Sequence, residues 1–295
     1  MRSFKMFITS IFIIALFLVG CSDKKTTTDN NNEESQNTNN SQDETIAIGS
    51  LEIGDKVVDP SWQWEFRTGV GYTYQEGDVT APVVWIVVAK DHYSGDSVTL
   101  LAENLIGRFP YDTSTLQSGL LAGWNHWGDS GTGNAQQGIR PWLNSTGIHE
   151  GEGFYTSFSG DFASIVLATE VLNIDYEFGI EYTTTDKVFI PSGTELGDTD
   201  LRDTYSIGTI FDYFSDSDDQ ARTALILNDY YTEDYWLRNP ISLGYRDVGM
   251  IAEYGFFTNN FADFNDIGVR PLVNVSSNVK LNPTVNDDGV YSIVY

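Results

Sequence analysis

Residues 83–89 read Val-Val-Trp-Ile-Val-Val-Ala, and this run is the most apolar strand pattern of the chain. Its β-branched and aromatic side chains favour a strand, and an unbroken apolar run of this length is typical of a strand that is buried on both faces. Residues 97–102 follow after the polar turn 91–96. We therefore predict that the two runs pair as neighbouring strands and that the first lies in the centre of a sheet.

Shorter apolar runs predict further strands, most of them in the C-terminal half of the chain. These runs cover residues 187–191, 248–257, 269–275, 279–281 and 290–294. Helical spacing is confined to residues 140–143, 160–170 and 219–227. Long irregular stretches, such as 121–138 and 193–218, lie between them. The sequence thus predicts an α+β fold, namely a strand-rich single domain with few short helices and long loops.

The first 21 residues predict export and lipid attachment. Arg2 and Lys5 precede an apolar run of about 14 residues, which is shorter than the roughly 20 residues of a membrane-spanning helix. The run ends in Leu18-Val19-Gly20-Cys21, which resembles the lipobox of bacterial lipoproteins. The resemblance implies that residues 1–20 are removed and that the Cys21 thiol carries the lipid. The alternative is an ordinary signal peptide in which the cysteine is incidental.

Residues 21–44 are predicted to be a lipidated tether. From Ser22 to Glu44 the chain contains no apolar residue, so burial cannot offset the entropy lost on ordering and the tether should be disordered. The globular domain is predicted to be residues 45–295. We expect it to lie outside the cytoplasm, anchored to the bacterial cell membrane or outer membrane.

Charge and cysteine content exclude several classes of function. The formal net charge is −26, which repels phosphate backbones and argues against a nucleic-acid partner. Cys21 is the only cysteine, so the domain has no intrachain disulfide, no catalytic thiolate and no cysteine-based zinc site. No glycine-rich phosphate-binding motif follows a predicted strand.

Four short motifs resemble the bacterial domain-of-unknown-function family 6273. They are Ile139-Arg-Pro-Trp-Leu-Asn144, Asp186-Lys-Val-Phe-Ile-Pro-Ser192 with Glu195, Tyr235-Trp-Leu-Arg-Asn-Pro240 and Gly268-Val-Arg-Pro-Leu272. The resemblance extends from about Leu51 to Val275, and it implies an architecture but no activity. The two last motifs are also similar to the closing strands of C-type-lectin-like folds, which is an analogy of fold alone. We expect the apolar motif residues Trp142, Phe189, Trp236 and Val269 to be buried, together with Trp85.

Arginines stand among apolar residues in three of these motifs, at Arg140, Arg238 and Arg270. A guanidinium beside a core needs a carboxylate or several carbonyls. We favour an internal network, with Asp186, Glu195 and Asp266 as partners, over recognition of an anionic ligand.

Two loops carry the candidate binding residues. Trp124, His126 and Trp127 lie in a glycine-rich loop, where exposed indoles can stack on a sugar, unless they cover the core instead. The second loop contains the densest acidic cluster: Asp212, Asp216, Asp218 and Asp219. It offers oxygen ligands for Ca²⁺ but lacks the glycine and glutamate of an EF-hand, and a solvated acidic loop is the simpler interpretation. His92 and His149 have no companion histidine at metal-binding spacing.

Three functional hypotheses are compatible with these patterns. The first is a surface-tethered binding module without catalysis, whose ligand is a glycan or a protein. The second is a carboxylate-dependent hydrolase of an envelope or environmental polymer. The third is a structural envelope lipoprotein.

The lipid anchor is directly testable. Cys21→Ala removes the thiol that would carry the acyl chains, so the variant should remain unprocessed or leave the membrane. Metabolic labelling with a palmitate analogue measures the attachment, and equal label in wild type and variant would disprove it.

Overall fold

The structure is a computed structural model that describes residues 44–66, 79–111, 138–147, 150–174, 180–198, 206–216, 218–227, 231–241 and 247–295. They belong to a compact unit that runs from Gln42 to Tyr295. The strands are β1 (Ile46–Ala47), β2 (Lys56–Val58), β3 (Trp64–Phe66), β4 (Val79–Ala81), β5 (Val84–Lys90), β6 (Ser97–Ala102), β7 (Thr169–Ile174), β8 (Glu181–Asp186), β9 (Tyr235–Pro240), β10 (Asp247–Ile251), β11 (Phe257–Phe261), β12 (Leu272–Ser276), β13 (Lys280–Leu281) and β14 (Val290–Val294). The α-helices are α1 (Ile139–Leu143), α2 (Gly160–Ile165) and α3 (Asp219–Arg222).

The strand predicted from residues 83–89 lies inside the largest sheet, as expected. It is β5, which pairs with β2 on one side and with β6 on the other, in the order β1-β13-β14-β2-β5-β6-β12. β5 and β6 are antiparallel, with Val87 opposite Leu100, so the predicted partner is confirmed. Residues 85–89 are all buried, which explains why this run contains no alternating polar side chains.

The first and last strands of the described chain meet in this sheet. β14 runs parallel to β2, with Ser292 opposite Val58, and β13 pairs with β1. The predicted strands 279–281 and 290–294 are confirmed as β13 and β14, and the predicted strand 269–275 begins later, as β12. The sheet is therefore completed by pairing between segments that are far apart in sequence.

The predicted strand 248–257 is wrong in one respect, because the structure divides it into β10 and β11. Between them the Gly255 N–H donates to the Ala252 carbonyl at 2.7 Å, and Gly255 has a φ of +87°. A Cβ at Gly255 would lie 1.7 Å from the Asp219 carbonyl oxygen, so only glycine fits this turn. β9, β10 and β11 form a separate three-stranded sheet with β10 in the middle.

The predicted strand 187–191 is also wrong, since only Phe189 makes a single β-bridge. Backbone N–H and C=O groups that would bond to a neighbouring strand are bonded to a side chain instead. Asn144 Oδ1 accepts hydrogen bonds from the N–H groups of Lys187 at 2.8 Å and Val188 at 3.1 Å. Asn144 Nδ2 donates to the Val188 carbonyl at 2.8 Å. The segment is thus bonded to an asparagine side chain from another family motif.

The helix predicted over residues 140–143 is confirmed as α1, whereas the other two helices are shorter than the spacing predicts. The pattern over residues 160–170 ends as helix at Ile165, because β7 begins at Thr169. The pattern over residues 219–227 ends as helix at Arg222, since the next residue is already extended. In the described segments no helix is long and apolar enough to cross a membrane.

The core contains the side chains that the sequence placed there. Trp62 stacks on Phe162 with ring centroids 5.8 Å apart, and Phe154 and Phe158 pack edge-on against the same indole. Such aromatic pairs contribute about 0.5–1.5 kcal/mol each beyond their buried area. The five predicted core residues are all buried: Trp85, Trp142, Phe189, Trp236 and Val269.

Candidate functional site

The aromatic loop predicted to contact a ligand lies outside the described residues, and so do Cys21 and His149. Trp124, His126 and Trp127 therefore remain predictions. The structure does show the residues on either side of that loop. The Ile139 N–H donates to the Tyr111 carbonyl at 2.9 Å, so the described residues that flank the loop lie next to each other.

The acidic cluster is exposed at all four positions, Asp212, Asp216, Asp218 and Asp219. Asp218 caps α3 by accepting a hydrogen bond from the Ala221 N–H at 3.3 Å. The carboxylate of Asp219 lies 2.5 Å from Arg222 Nη2. Two of the four carboxylates thus have roles in a helix, and the described residues contain no group of three or more His, Cys, Asp or Glu side chains arranged to hold a metal ion.

Arg238 on β9 and Glu195 form an ion pair that is fully removed from solvent. Neither side chain has exposed surface. Both terminal guanidinium nitrogens contact the carboxylate, with Nη1 2.7 Å from Oε2. Burial raises the pKa of Glu195, but the charge and hydrogen bonds of Arg238, together with hydrogen bonds from Ser192 and Tyr93, outweigh this effect and hold the pKa below its ordinary value. Glu195 is thus confirmed as one of the carboxylates predicted for an internal network.

Further groups surround the carboxylate of Glu195. The Ser192 N–H donates to Oε2 at 2.9 Å, and the Tyr93 hydroxyl donates to Oε1 at 2.7 Å. The His92 ring packs against Tyr93 at 4.7 Å between centroids, and burial lowers the pKa of His92. A Cβ at Gly208 would lie 2.9 Å from Glu195 Oε1. The carboxylate is therefore enclosed and has no open side for a substrate.

Arg140 on α1 pairs with Asp186, one of the carboxylates predicted as partners in the internal network. Arg140 Nε donates to Asp186 Oδ1 at 2.8 Å, and the Thr184 hydroxyl donates to Asp186 Oδ2 at 2.6 Å. Burial lowers the pKa of Arg140, and the negative charge of Asp186 opposes that shift. Both carboxylate oxygens are thus engaged inside the fold.

Arg270 is satisfied by carbonyl groups. Its Nε donates to the Ala102 carbonyl at 2.9 Å and its Nη1 to the Arg222 carbonyl at 3.2 Å. Asp266, the third carboxylate predicted for the network, lies 3.4 Å from Arg108 Nε. The three motif arginines are at most 6 % exposed, so they serve the fold and are not presented to a ligand.

Exposed aromatic rings are concentrated on and beside the β10–β11 hairpin. Tyr254 is 69 % exposed, Phe256 47 %, Phe261 55 % and Phe264 48 %. We refer to these four residues as the hairpin surface. Tyr254 and Phe256 flank the turn, whereas Phe261, opposite Asp247, and Phe264 lie toward the other end of the hairpin. Single exposed apolar side chains are normal on a protein, but four large ones on and beside one hairpin favour an interaction surface.

Polar groups border the hairpin surface. Asn259 is exposed, and Asn260 Oδ1 accepts a hydrogen bond from the Phe261 N–H at 2.8 Å. On the other side, Asp234 Oδ1 accepts from the Glu253 N–H at 2.8 Å. Partial burial raises the pKa of Asp234, and the neighbouring carboxylate of Glu253 adds to the shift. Rings beside amides and carboxylates can hold a ligand that has both apolar faces and hydroxyl groups.

Sequence reasoning missed the hairpin surface because it treated residues 248–257 as one strand. The usable signal was the density of aromatic residues around a glycine, from Tyr254 to Phe264. With Gly255 assigned to a turn, the rings on either side of it cannot all face the core.

The fold is a strand-rich domain, and the arginines of three motifs are buried inside it. The fourth motif supplies Asp186 and Glu195, which pair with two of these arginines. All four motifs lie within residues 123–277, which match the family described as Domain of unknown function (DUF6273). The match covers more than half of the chain, so the chain belongs to this family. Comparisons with curated proteins and with solved structures found no match.

The family match begins later than the sequence resemblance indicated. We expected it to start near Leu51, whereas it starts at residue 123 and ends at residue 277. Strands β1 to β6 precede the matched region, and β13 and β14 follow it. Of the seven strands in the largest sheet, only β12 belongs to the matched region.

Removing one partner of the Arg238–Glu195 pair should lower stability strongly, and removing the second charge as well should restore part of the loss. Arg238→Met should lower the free energy of unfolding by about 3–5 kcal/mol, because Glu195 would be buried without a counter-charge. Adding Glu195→Gln should restore much of the loss. Urea denaturation measures both effects. Lys56→Met is the matched control, since its pair with Glu103 is partly exposed and should be worth at most about 1 kcal/mol. Equal losses in Arg238→Met and Lys56→Met would contradict this assignment.

Asp234 predicts a pH-dependent effect. Its pKa is raised in the folded state, so its ionisation costs stability as pH rises above the ordinary value of 3.8. Asp234→Asn should therefore raise the melting temperature at pH 7, and the gain should shrink as pH falls toward that value. The exposed Asp287→Asn is the control. A gain independent of pH would show that the charge of Asp234 is not its cause.

Proposed function

We propose that this chain is a lipid-anchored binding module of a bacterial cell envelope, and that it holds an uncharged polysaccharide without altering it chemically. Cys21 attaches it to the membrane, and residues 22–44 hold the domain away from the surface. The observation that carries the proposal is the hairpin surface, with four largely exposed rings at Tyr254, Phe256, Phe261 and Phe264.

The chemistry around the hairpin surface favours a glycan. A sugar ring has an apolar face of C–H groups that stacks on an aromatic ring, and its hydroxyls bond to amides and carboxylates. The exposed Asn259 and the half-exposed Asp234 supply such groups beside the rings. The net charge of −26 disfavours an acidic polysaccharide, so the ligand is proposed to be neutral.

The buried carboxylates support binding over hydrolysis. Asp59 accepts hydrogen bonds from the Ser61 hydroxyl at 2.6 Å and the Ser159 hydroxyl at 2.8 Å. Asp186 and Glu195 are held by their arginines. In the described part of the chain, each of these buried carboxylates is thus engaged within the protein, whereas a glycosidase needs two that face a substrate.

A C-type-lectin-like arrangement is part of the proposal. The meeting of β1 and β2 with β13 and β14 in one sheet supports it, because the segments near both ends of the described chain then form a common base. The analogy concerns the fold, and the glycan proposal rests on the hairpin surface alone.

Retention on insoluble polysaccharides tests the proposed function. The full-length chain in lipid nanodiscs is applied to cellulose, chitin and a β-1,3-glucan, with empty nanodiscs as background, with and without Ca²⁺ because of the exposed acidic loop. We expect retention on at least one polymer. Phe261→Ala with Phe264→Ala should weaken it at least about tenfold while leaving thermal unfolding nearly unchanged, since both rings are already exposed.

Tyr231→Ala is the matched control, because that ring is 75 % exposed and lies on another part of the chain. It should bind as wild type does. Equal retention of the hairpin variant and the control, or no retention on any polymer, would overturn the proposal. Release of new reducing ends from the polymer would favour the hydrolase hypothesis instead.

A further inference from the structure

A cavity of about 520 Å³ opens on one face of the largest sheet, where β2 lies between β14 and β5. Its floor is made of Val58, Val84 and Val290. Val58 lies opposite Val84 across the strand pair, so the two side chains project from the same face. Pro60 and Pro82 also line the cavity. The volume lies within the range of small-molecule sites, which are largely apolar with a few convergent polar groups.

Polar groups on the wall of this cavity have unused hydrogen-bonding capacity. Lys56 Nζ lies 2.5 Å from Glu103 Oε1, and within the described part of the chain Glu103 Oε2 has no partner. The side-chain amide of Asn104 and the carboxylate of Asp288 also line the cavity, and neither has a hydrogen-bond partner among the described residues. An apolar floor thus lies beside acceptors and an amide that remain available to a bound molecule.

The charged groups on the cavity wall determine whether the cavity favours a cationic or an anionic ligand. The single ammonium group, on Lys56, is already matched by Glu103, so the charge of Asp288 stays uncompensated. A chain with a net charge of −26 also raises the local concentration of cations and lowers that of anions. An anionic ligand would have to displace Glu103 from Lys56, whereas a cation needs no rearrangement.

We propose that this cavity is a binding site for a small organic amine with a compact apolar body. The ammonium group donates to Glu103 Oε2 and to the side-chain oxygen of Asn104, with Asp288 adding electrostatic attraction. The apolar body rests on the floor of Val58, Val84 and Val290. The site is independent of the hairpin surface and of the polysaccharide proposed for it.

Two probes of matched shape and opposite charge test the proposal: cyclohexylmethylamine and cyclohexanecarboxylate at neutral pH. Each is titrated into the full-length chain in nanodiscs, with valine methyl groups labelled for NMR. The amine should cause saturable shifts of the methyl signals of Val58, Val84 and Val290, and the carboxylate should not. Absence of these shifts, or equal shifts with both probes, would overturn the proposal.

Variants distinguish the site from nonspecific attraction to an acidic surface. Glu103→Gln removes the acceptor charge and should weaken amine binding at least about tenfold. Asp288→Asn is the second variant, because Asp288 is exposed and its replacement does not disturb the Lys56 pair; it should weaken binding by a smaller factor. Asp287→Asn, which removes the neighbouring charge outside the cavity, should have no effect. Equal binding by wild type and both cavity variants, or equal weakening by Asp287→Asn, would contradict the assignment.

Discussion

The structure depends on one fully buried charge pair, between Arg238 and Glu195. Moving two ions out of water costs several kcal/mol each, and their attraction repays this only when the remaining donors and acceptors are also satisfied. Here the Ser192 N–H and the Tyr93 hydroxyl complete the carboxylate, and the carbonyls of Leu172 and Ile190 accept from the guanidinium. The pair therefore forms only when β7, β9, Tyr93 and the segment around residues 190–195 occupy their places at once. Its main effect is to specify one arrangement of these segments.

The same principle extends to the other motif residues. Asn144 bonds to the backbone of Lys187 and Val188, and Arg270 bonds to carbonyls that no strand ladder uses. In irregular backbone no neighbouring strand is available as a hydrogen-bond partner. These side chains supply the hydrogen bonds that a neighbouring strand would otherwise provide. A domain with small separate sheets and short helices has many such backbone groups to satisfy. The polar residues of the family motifs meet this requirement, which explains why they are buried and enclosed although they look like binding residues in the sequence.

Local sequence patterns predicted the elements whose partners lie close together in sequence. β5 and β6 were predictable because their apolar content and the turn between them are continuous in sequence. That Asp186 and Glu195 bind motif arginines was predictable because a buried guanidinium has few alternatives to a carboxylate. The segment 187–191 was not predictable, since an asparagine more than 40 residues away takes its hydrogen bonds. The hairpin surface was missed because residues 248–257 were treated as one strand. The turn at Gly255 changes the directions in which the rings on either side of it point.

The family match is shorter than the compact unit of the structure, and hydrogen bonds join the matched region to the segments that precede it. β12 of the matched region pairs with β6, and the Trp236 indole donates to the Phe109 carbonyl at 2.8 Å. The Val269 carbonyl accepts from the Ile106 N–H at 2.9 Å. Each of these bonds joins residues 123–277 to strand or loop backbone that precedes them. The matched region therefore completes its sheet and its core only together with the flanking strands, and we expect the smallest cooperative unit to include both.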